Sequence, residues 1–312
     1  MREFERDRPS RAKAKLALAS LALAFAISPL LAQTSVKLSL NGQLGGAVAP
    51  FLVAADKDYI NALIRLRDQN PTAPVKAVFV VYNRPAYAII GRKSRGVMRP
   101  KDLEDRKLGA PATDPAYAQW PLFAQLNDVD AAKVTVLNVA VPVREPMLAS
   151  GEVDAITGST FVSYVNLKER GVPTDDIDVM LMADYGLELY GGAVLVNTKF
   201  AADNPEAVRG FLRAFLKGLK DTVKNPTAAI DSVLKRSEGA RKEIELERLR
   251  IALRDNILTP EVKAQGFGGI EAARFDRAIG QIALAYKFKT KPKAEDVFDA
   301  GFLPPVADRK LK

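Results

Sequence analysis

The residues best suited to bind a small molecule lie in residues 107–123, KLGAPATDPAYAQWPLF. A short apolar strand at 108–110 leads through a turn into Asp114 and Pro115, a pair typical of a helix N-cap and the first helical residue. Such a helix start points free backbone N–H groups beyond the end of the strand, where they can donate to a bound oxygen or nitrogen atom. The chemistry that this arrangement offers is hydrogen bonding to a polar solute.

Hydrogen-bond donors and aromatic rings are concentrated in this stretch. We expect Thr113 to contribute its hydroxyl, and Ala116 and Tyr117 to contribute their backbone N–H groups. Tyr117 and Trp120, the only tryptophan of the chain, are candidates to stack on a ligand ring. The residues alone are equally consistent with an ordinary turn followed by two packed aromatic side chains.

Asp114 bears on the choice of ligand. If its carboxylate caps its own helix, it occupies N–H groups that an oxyanion would need and adds negative charge to the rim. The sequence therefore disfavours nitrate or a sulfonate and favours a neutral or amine-bearing ligand, such as an aminopyrimidine. A purely capping role for Asp114 is the other interpretation that the residues allow.

Further candidates lie at other predicted strand ends and beside the predicted crossings between two lobes. Thr157, Ser159 and Thr160 end a strand and can serve as ligand donors or as a helix N-cap. Arg144 and Glu145 follow another strand, and we interpret them as a solvated ion pair. The remaining candidates are near the crossings or in the first lobe: Tyr185, Tyr190, Phe51, Asn61, Tyr82 and Asn83.

Composition excludes several kinds of chemistry. The chain of 312 residues contains no cysteine and no histidine, which excludes disulfides, thiol catalysis, His-based triads and zinc sites with ordinary ligands. Its net charge of +9 is scattered and no basic–aromatic motif accompanies it, so nucleic-acid binding is not expected. We expect no catalytic residue, no cofactor and no metal.

The first 32 residues have the layout of a secretory signal peptide. A basic segment at 2–15 precedes an uncharged, Leu/Ala-rich run at 16–31 that ends in small residues. We expect cleavage after Ala32 and export to a bacterial periplasm. No later segment of the sequence is apolar for long enough to cross a bilayer.

Strands that alternate with helices must position the candidate residues. Strands are predicted at 36–40, 75–82, 86–91, 108–110, 134–139, within the turn and strand at 151–158, and at 193–197, with a further apolar run at 177–182, before a mainly helical tail. This order predicts an α/β fold with mainly parallel sheets and flanking helices, and the β-branched run at 75–82 predicts a buried parallel strand. We expect lobe I at residues 33–90 and 194–312 and lobe II at 91–193, with a two-strand hinge and the ligand between the lobes.

Four segments carry a resemblance to a known family: AVAPFLVAADK (47–57), AYAIIGRKSRGVMRPKDLEDRKLGAP (86–111), MLASGEVDAITG (147–158) and ADNPEAVRGFLRAFLKGL (202–219). In them the chain resembles the periplasmic solute-binding proteins of ABC importers, in the branch that handles nitrate, sulfonates, taurine and thiamine-precursor pyrimidines. The resemblance implies a two-lobed periplasmic binding protein fold of type II. It also implies a monomeric receptor that delivers a small solute to an ABC permease and its ATPase in the inner membrane, without catalysis.

The first lobe departs from the pattern of this family. Residues 54–57 (AADK) run directly into helical sequence, where relatives place a strand, a Gly/Ser loop, a helix and another strand. We therefore expect lobe I to lack a strand–helix–strand unit and the ligand-contacting loop within it. A truncated receptor remnant that binds nothing is one alternative. A pyrimidine-synthesising enzyme is less favoured, because the eukaryotic relatives that do this chemistry use His and Cys residues that are absent here.

Overall fold

The computed structural model describes residues 59–311. The predicted signal peptide, the strand expected at 36–40 and Phe51 lie outside these residues. The junction at 54–57, on which the prediction of a missing unit in lobe I rests, lies outside them as well. These expectations therefore stay predictions.

Within residues 59–311, strands alternate with helices first and a helical region follows, as predicted. The strands are β1 (Val75–Val80), β2 (Tyr87–Arg92), β3 (Lys107–Ala110), β4 (Thr135–Asn138), β5 (Ala155–Ser159), β6 (Ile177–Leu181) and β7 (Ala193–Asn197). The α-helices are α1 (Tyr59–Gln69), α2 (Trp120–Leu126), α3 (Val141–Ser150), α4 (Thr160–Glu169), α5 (Thr198–Asp203), α6 (Pro205–Lys224), α7 (Pro226–Leu234), α8 (Lys242–Ala252), α9 (Pro260–Gln265), α10 (Ala272–Ala285), α11 (Ala294–Val297) and α12 (Val306–Arg309).

The larger sheet of the described residues has five strands in the order β4-β3-β5-β2-β6. β3 runs parallel to β4 and β5, whereas β2 runs antiparallel to both β5 and β6. The carboxyl ends of β3, β4, β5 and β6 therefore meet at one edge of the sheet, together with the amino end of β2. We call this edge the strand-end edge, and the elements that follow the strands there carry most of the candidate site.

The second sheet of the described residues contains β1 and β7, and its pairing differs from the prediction. β1 pairs antiparallel with β7, so the expectation of a parallel strand at 75–82 is wrong. Its continuous apolar sequence has another cause: Ala77 and Val80 pack into one buried cluster, while Val78 and Phe79 pack into another. A strand that is buried on both faces reads as apolar throughout, whatever the direction of its partner.

The helical region packs as its periodicity predicts. α6 starts with Pro205 in its first turn, where a missing N–H costs nothing. Its stripe of apolar residues is buried at Val208, Leu212 and Leu219 against the cluster that includes Phe79. The opposite face of α6 is left to solvent and to charged side chains.

Two chain segments, 81–86 and 182–192, connect the two sheets and lie side by side. The N–H of Val81 donates to the carbonyl of Gly192 at 2.8 Å, and the N–H of Gly191 donates to the carbonyl of Tyr82 at 2.9 Å. A Cβ atom at position 191 would lie 2.8 Å from the Cβ of Tyr82, so this close approach requires glycine. The predicted boundary between residues 90 and 91 falls inside β2, which belongs wholly to the five-stranded sheet.

Candidate functional site

The strand-end edge collects polar side chains from three neighbouring strands. Asp114 lies in the loop after β3, Arg144 lies on α3 after β4, and Thr157 lies within β5. Because β4, β3 and β5 are adjacent and parallel, the topology brings residues together that are far apart in the chain. The candidates in this region form one connected hydrogen-bond cluster.

Asp114 is the centre of this cluster. The hydroxyl of Thr157 donates to Asp114 Oδ2 at 2.7 Å, and Arg144 Nη1 donates to the same oxygen at 2.9 Å. The backbone N–H of Ala116 donates to Asp114 Oδ1 at 3.0 Å, which closes a local turn in the loop and not the cap of a helix. The N–H of Ala116 is thereby committed to Asp114 and is not offered to a ligand in this arrangement.

The turn after Asp114 differs in one respect from the prediction. The first α-helical residue is Trp120, with a short 3-10 turn at Tyr117–Gln119 before it, so a helix start at Pro115 is wrong. Pro121, and not Pro115, occupies the first turn of α2. The carboxylate of Asp114 instead accepts hydrogen bonds from Arg144 and Thr157.

Arg144 and Glu145 are buried, and the prediction of a solvated pair is wrong. Their side chains are 7% and 4% exposed, and Arg144 donates from Nε and Nη2 to Glu145 Oε1 at 3.1 and 2.8 Å. Both residues lie on α3, which begins at Val141 instead of 144 and packs against the sheet. Arg144, Glu145 and Leu148 consequently face the sheet, while Val141 is 50% exposed.

Ser163 completes the surroundings of Arg144. Arg144 Nη2 donates to Ser163 Oγ at 3.2 Å, and this hydroxyl lies directly beside Gly158 of β5. A Cβ atom at position 158 would lie 2.3 Å from Ser163 Oγ, so the hydrogen bond requires glycine at 158. The small residues of β5 thus make room for the guanidinium network.

The charges of this cluster do not favour an anionic ligand. One guanidinium lies between the carboxylates of Asp114 and Glu145, so the cluster carries one net negative charge. A buried arginine that is paired in this way is held by its carboxylates, and removing either partner is costly. Arg144 is therefore not available to neutralise a bound sulfonate or nitrate.

Ser159, at the end of β5, presents an unsatisfied hydroxyl. Its Oγ is buried and has no hydrogen-bond partner among residues 59–311, and it does not cap α4. Neighbouring Thr160 is already engaged, because its hydroxyl lies 3.4 Å from Asn256 Oδ1 and its N–H donates to the carbonyl of Ala86. No loop separates the two elements here, since β5 leads directly into α4.

The aromatic candidates divide into packed and partly open side chains. Trp120 is 4% exposed and packs on Phe123, with ring centroids 6.2 Å apart. Tyr185 packs edge-on against Phe123 at 5.9 Å, and burial together with the nearby Asp178 raises its pKa. Tyr185 and Tyr117 are only half-buried, so their rings retain surface that a ligand can contact. Thr113 is exposed at the same edge.

Tyr190 belongs to the contacts between the two connecting segments. Its ring is buried between Phe275, at 6.3 Å between centroids, and the guanidinium of Arg274, at 4.1 Å. Its hydroxyl donates to Glu261 Oε1 at 2.9 Å, and burial raises the pKa of Tyr190 above its ordinary value. With both ring faces occupied, Tyr190 offers no stacking surface in this arrangement.

The other predicted residues near the crossings are part of the same network. Asn83 Oδ1 accepts from Thr259 at 2.7 Å and from Arg274 at 3.0 Å. Asn61 lies 3.4 Å from the carbonyl of Tyr190, and Tyr82 is buried beside Phe161. These side chains join the connecting segments to each other and to the C-terminal helices.

Arg274 and Glu261 are important residues that sequence reasoning missed. Arg274 donates to the carbonyls of Glu188, Leu189 and Asn83 at 2.8 to 3.0 Å, and to Glu261 Oε2 at 2.8 Å. Both residues lie on helices far along the chain from the segments that they bind. No motif marks them, because ordinary charged positions on amphipathic helices look the same in sequence.

Open space also adjoins the strand-end edge on its β6 side. A pocket of about 570 Å³ is lined there by Thr160, Leu181 and Asp184, together with residues of α8 and of the turn after it. Among the described residues, no group of three or more acidic side chains is placed to hold a metal ion. No helix within residues 59–311 is both long and apolar enough to span a membrane.

Solved structures with this arrangement define the fold class. The periplasmic aliphatic sulphonate binding protein SsuA from Escherichia coli superposes with a TM-score of 0.57 at 14% identity, over 82% of this chain and 74% of that one. The desulfurization enzyme DSZB superposes with a TM-score of 0.52 at 12% identity, over 77% of this chain and 80% of that one. Likeness at such identities shows the fold, which is the predicted α/β fold of type II periplasmic binding proteins.

Sequence comparison identifies the family. The model of the family described as NMT1/THI5 like matches residues 59–229, and the chain belongs to this family, as the resemblance predicted. The riboflavin-binding protein RibY from Chloroflexus aurantiacus (strain ATCC 29366 / DSM 635 / J-10-fl) is 31% identical over 160 residues. These cover 51% of this chain and 44% of RibY, so the chain matches somewhat less than half the length of this curated relative.

Proposed function

We propose that the protein is the solute-binding component of an ABC importer, which captures a small polar solute at the strand-end edge and delivers it to a permease. The proposal includes export to the periplasm by the signal peptide predicted at residues 1–32. Its fold is that of solute receptors such as SsuA, and its family is the one to which the four sequence segments point. Catalysis has no part in it.

One observation carries the proposal. Ser159 Oγ is buried at the strand-end edge without a partner among the described residues, two residues after Thr157, which donates to Asp114. Buried polar atoms are nearly always hydrogen-bonded, so an unsatisfied hydroxyl at this place is a position for a ligand atom or an ordered water. Partly open Tyr117 and Tyr185 supply ring surface at the same edge.

The ligand that fits these charges is neutral or carries hydrogen-bond donors. The single guanidinium of the cluster is held by Asp114 and Glu145, and the net charge there is negative. Sulfonate, taurine and nitrate would be repelled by this negative charge, because the cluster has no unpaired cation to neutralise them. The amino group of a nitrogen heterocycle would instead donate hydrogen bonds toward the negative charge. We therefore place an aminopyrimidine or a related nitrogen heterocycle ahead of the oxyanions. The ligand named for RibY, riboflavin, is of this chemical kind.

A thermal-shift screen of the purified chain tests the proposal. The panel is an aminopyrimidine, riboflavin, taurine, an alkanesulfonate and nitrate, each over a range of concentrations. A solute that binds only the folded state raises the melting temperature in proportion to RT ln(1 + [L]/Kd). We expect a heterocycle to stabilise the protein and the oxyanions to leave it unchanged. No shift with any compound would contradict the receptor and support the remnant.

The remnant is the second candidate, because the second sheet holds only β1 and β7 among the described residues. A remnant would have the same fold and belong to the same family as a working receptor, but it would bind no solute. Genes for a permease and an ATPase beside this gene would argue for a working receptor. An isolated gene, together with a thermal-shift screen in which no compound raises the melting temperature, would argue for the remnant.

A further inference from the structure

A row of cations lies along one face of α6. Arg209, Arg213, Lys217, Lys220 and Lys224 follow one another at spacings of four, four, three and four residues, which keeps them on one helical face. At 1.5 Å per residue the row is about 22 Å long. It lies beside the apolar stripe that anchors α6 in the core.

These cations form one wall of a groove, which we call the α6 groove. The groove has a volume of about 510 Å³, and residues 302–305 form its opposite wall. That wall is mainly apolar, with Phe302, Leu303 and two prolines. The guanidinium of Arg209 lies 5.6 Å from the ring centroid of Phe302, so the two walls are in contact at one end.

The positive charge of the α6 groove is only partly neutralised. Arg209 pairs with Glu206, and Lys217 pairs with Asp221 at 2.9 Å, in exposed ion pairs of the kind that contribute little. Arg213, Lys220 and Lys224 have no ion pair among residues 59–311, and Lys220 donates instead to the backbone carbonyl of Asp308. Five cations thus line the groove against the two carboxylates of Asp221 and Asp308.

We propose that the α6 groove binds an extended acidic segment of a partner protein. An extended chain advances about 3.3 Å per residue, so about seven residues match the row of cations. Its alternate side chains point in opposite directions, so carboxylates can face α6 while apolar side chains face residues 302–305. A membrane surface fits less well, because it is planar and cannot enter a groove with an apolar far wall. This inference is independent of the solute site.

Fluorescence anisotropy with a labelled peptide of alternating Glu and Val, eight residues long, tests the proposal on the full chain. The expected result is saturable binding that weakens as salt is raised. The double variant R213Q/K224Q, which removes two of the three cations without an ion pair, is expected to bind at least about three-fold more weakly. A peptide of alternating Gln and Val is expected not to bind.

The matched control is K235Q/K263Q, which removes the same charge at exposed positions outside the groove. Equal affinity of the two double variants for the Glu/Val peptide would overturn the proposal. Peptide binding would then depend only on the net charge of the protein and not on the α6 groove. Co-sedimentation with vesicles of phosphatidylglycerol and phosphatidylcholine tests the membrane. The proposal would also be overturned if the protein bound the vesicles through Arg213 and Lys224 but did not bind the peptide.

Discussion

Arg144 Nη1 lies 2.9 Å from Asp114 Oδ2, and this ion pair joins the loop after β3 to the helix after β4. Both side chains are less than a tenth exposed. The pair fixes the rim of the strand-end edge and also removes the guanidinium from contact with any bound anion. We therefore expect the same contact to affect both the stability of this region and the ligand preference that we propose for it.

Arg144→Met should destabilise the protein strongly. The substitution leaves the carboxylates of Asp114 and Glu145 buried without their cation, at a cost of about 3–5 kcal/mol in the free energy of unfolding. Urea denaturation measures it. The matched control is Arg99→Met, which breaks the pair between Asp102 and a side chain that is 77% exposed, and should cost less than about 1 kcal/mol. Equal losses in the two variants would show that the cluster does not stabilise the fold.

Ser159→Ala and Thr157→Val should separate ligand binding from stability. Ser159 Oγ has no partner among the described residues, so its removal should leave stability unchanged and weaken ligand binding by about 2- to 10-fold. Thr157→Val removes the donor to Asp114 and should lower the free energy of unfolding by about 1–3 kcal/mol. Calorimetric titration and urea denaturation of both variants check this. A Ser159→Ala protein that binds like the wild type would remove Ser159 from the site.

Arg274→Met should loosen the contacts between the connecting segments. The substitution leaves Glu261 and three backbone carbonyls without the hydrogen bonds that Arg274 donates to them. We expect a loss of about 3–5 kcal/mol in the free energy of unfolding. Arg277→Met, on the same helix but 54% exposed, is the matched control and should cost less than about 1 kcal/mol. Hydrogen exchange should also show faster opening of residues 182–192 in Arg274→Met alone. Unchanged exchange there would contradict a role for Arg274 in holding these segments.

Glu104 should contribute to the acid sensitivity of the protein. Its hydrogen bond from Lys101, and a second from the N–H of Asp130, hold its pKa at about 2, below the ordinary 4.5. A depressed pKa stabilises the folded state above pH 4.5, and this contribution is lost as the pH falls toward 2. Glu104→Gln should therefore be less stable than the wild type at pH 7, with the difference vanishing near pH 2. Glu238→Gln, at an exposed position without an ion pair in the described residues, should show no such pH-dependent difference.

Local signals were sufficient for the elements and for part of the site. The strand at 108–110 follows from short-range rules, and so does the hydrogen bond that Asp114 accepts from the N–H of Ala116, two residues further along the chain. Arg144 was misjudged because the sequence does not show which face of this short helix packs against the sheet. Arg274 lies 191 residues from Asn83, and nothing in the sequence connects a helix position to so distant a partner. The sequence of β1 also did not show whether its partner strand is parallel or antiparallel. A strand that is buried on both faces has the same continuous apolar sequence in either case.

Titration of the wild type and of Asp114→Asn with an aminopyrimidine and with an alkanesulfonate tests the central claim most directly. Asparagine keeps an acceptor for the N–H of Ala116 but removes the charge that helps to hold Arg144. We predict that the wild type binds the heterocycle and not the sulfonate, and that Asp114→Asn loses preference for the heterocycle and gains affinity for the sulfonate. Asp203→Asn, at a 56% exposed position on α5, should behave as the wild type. Tight sulfonate binding by the wild type, unchanged in Asp114→Asn, would contradict the account.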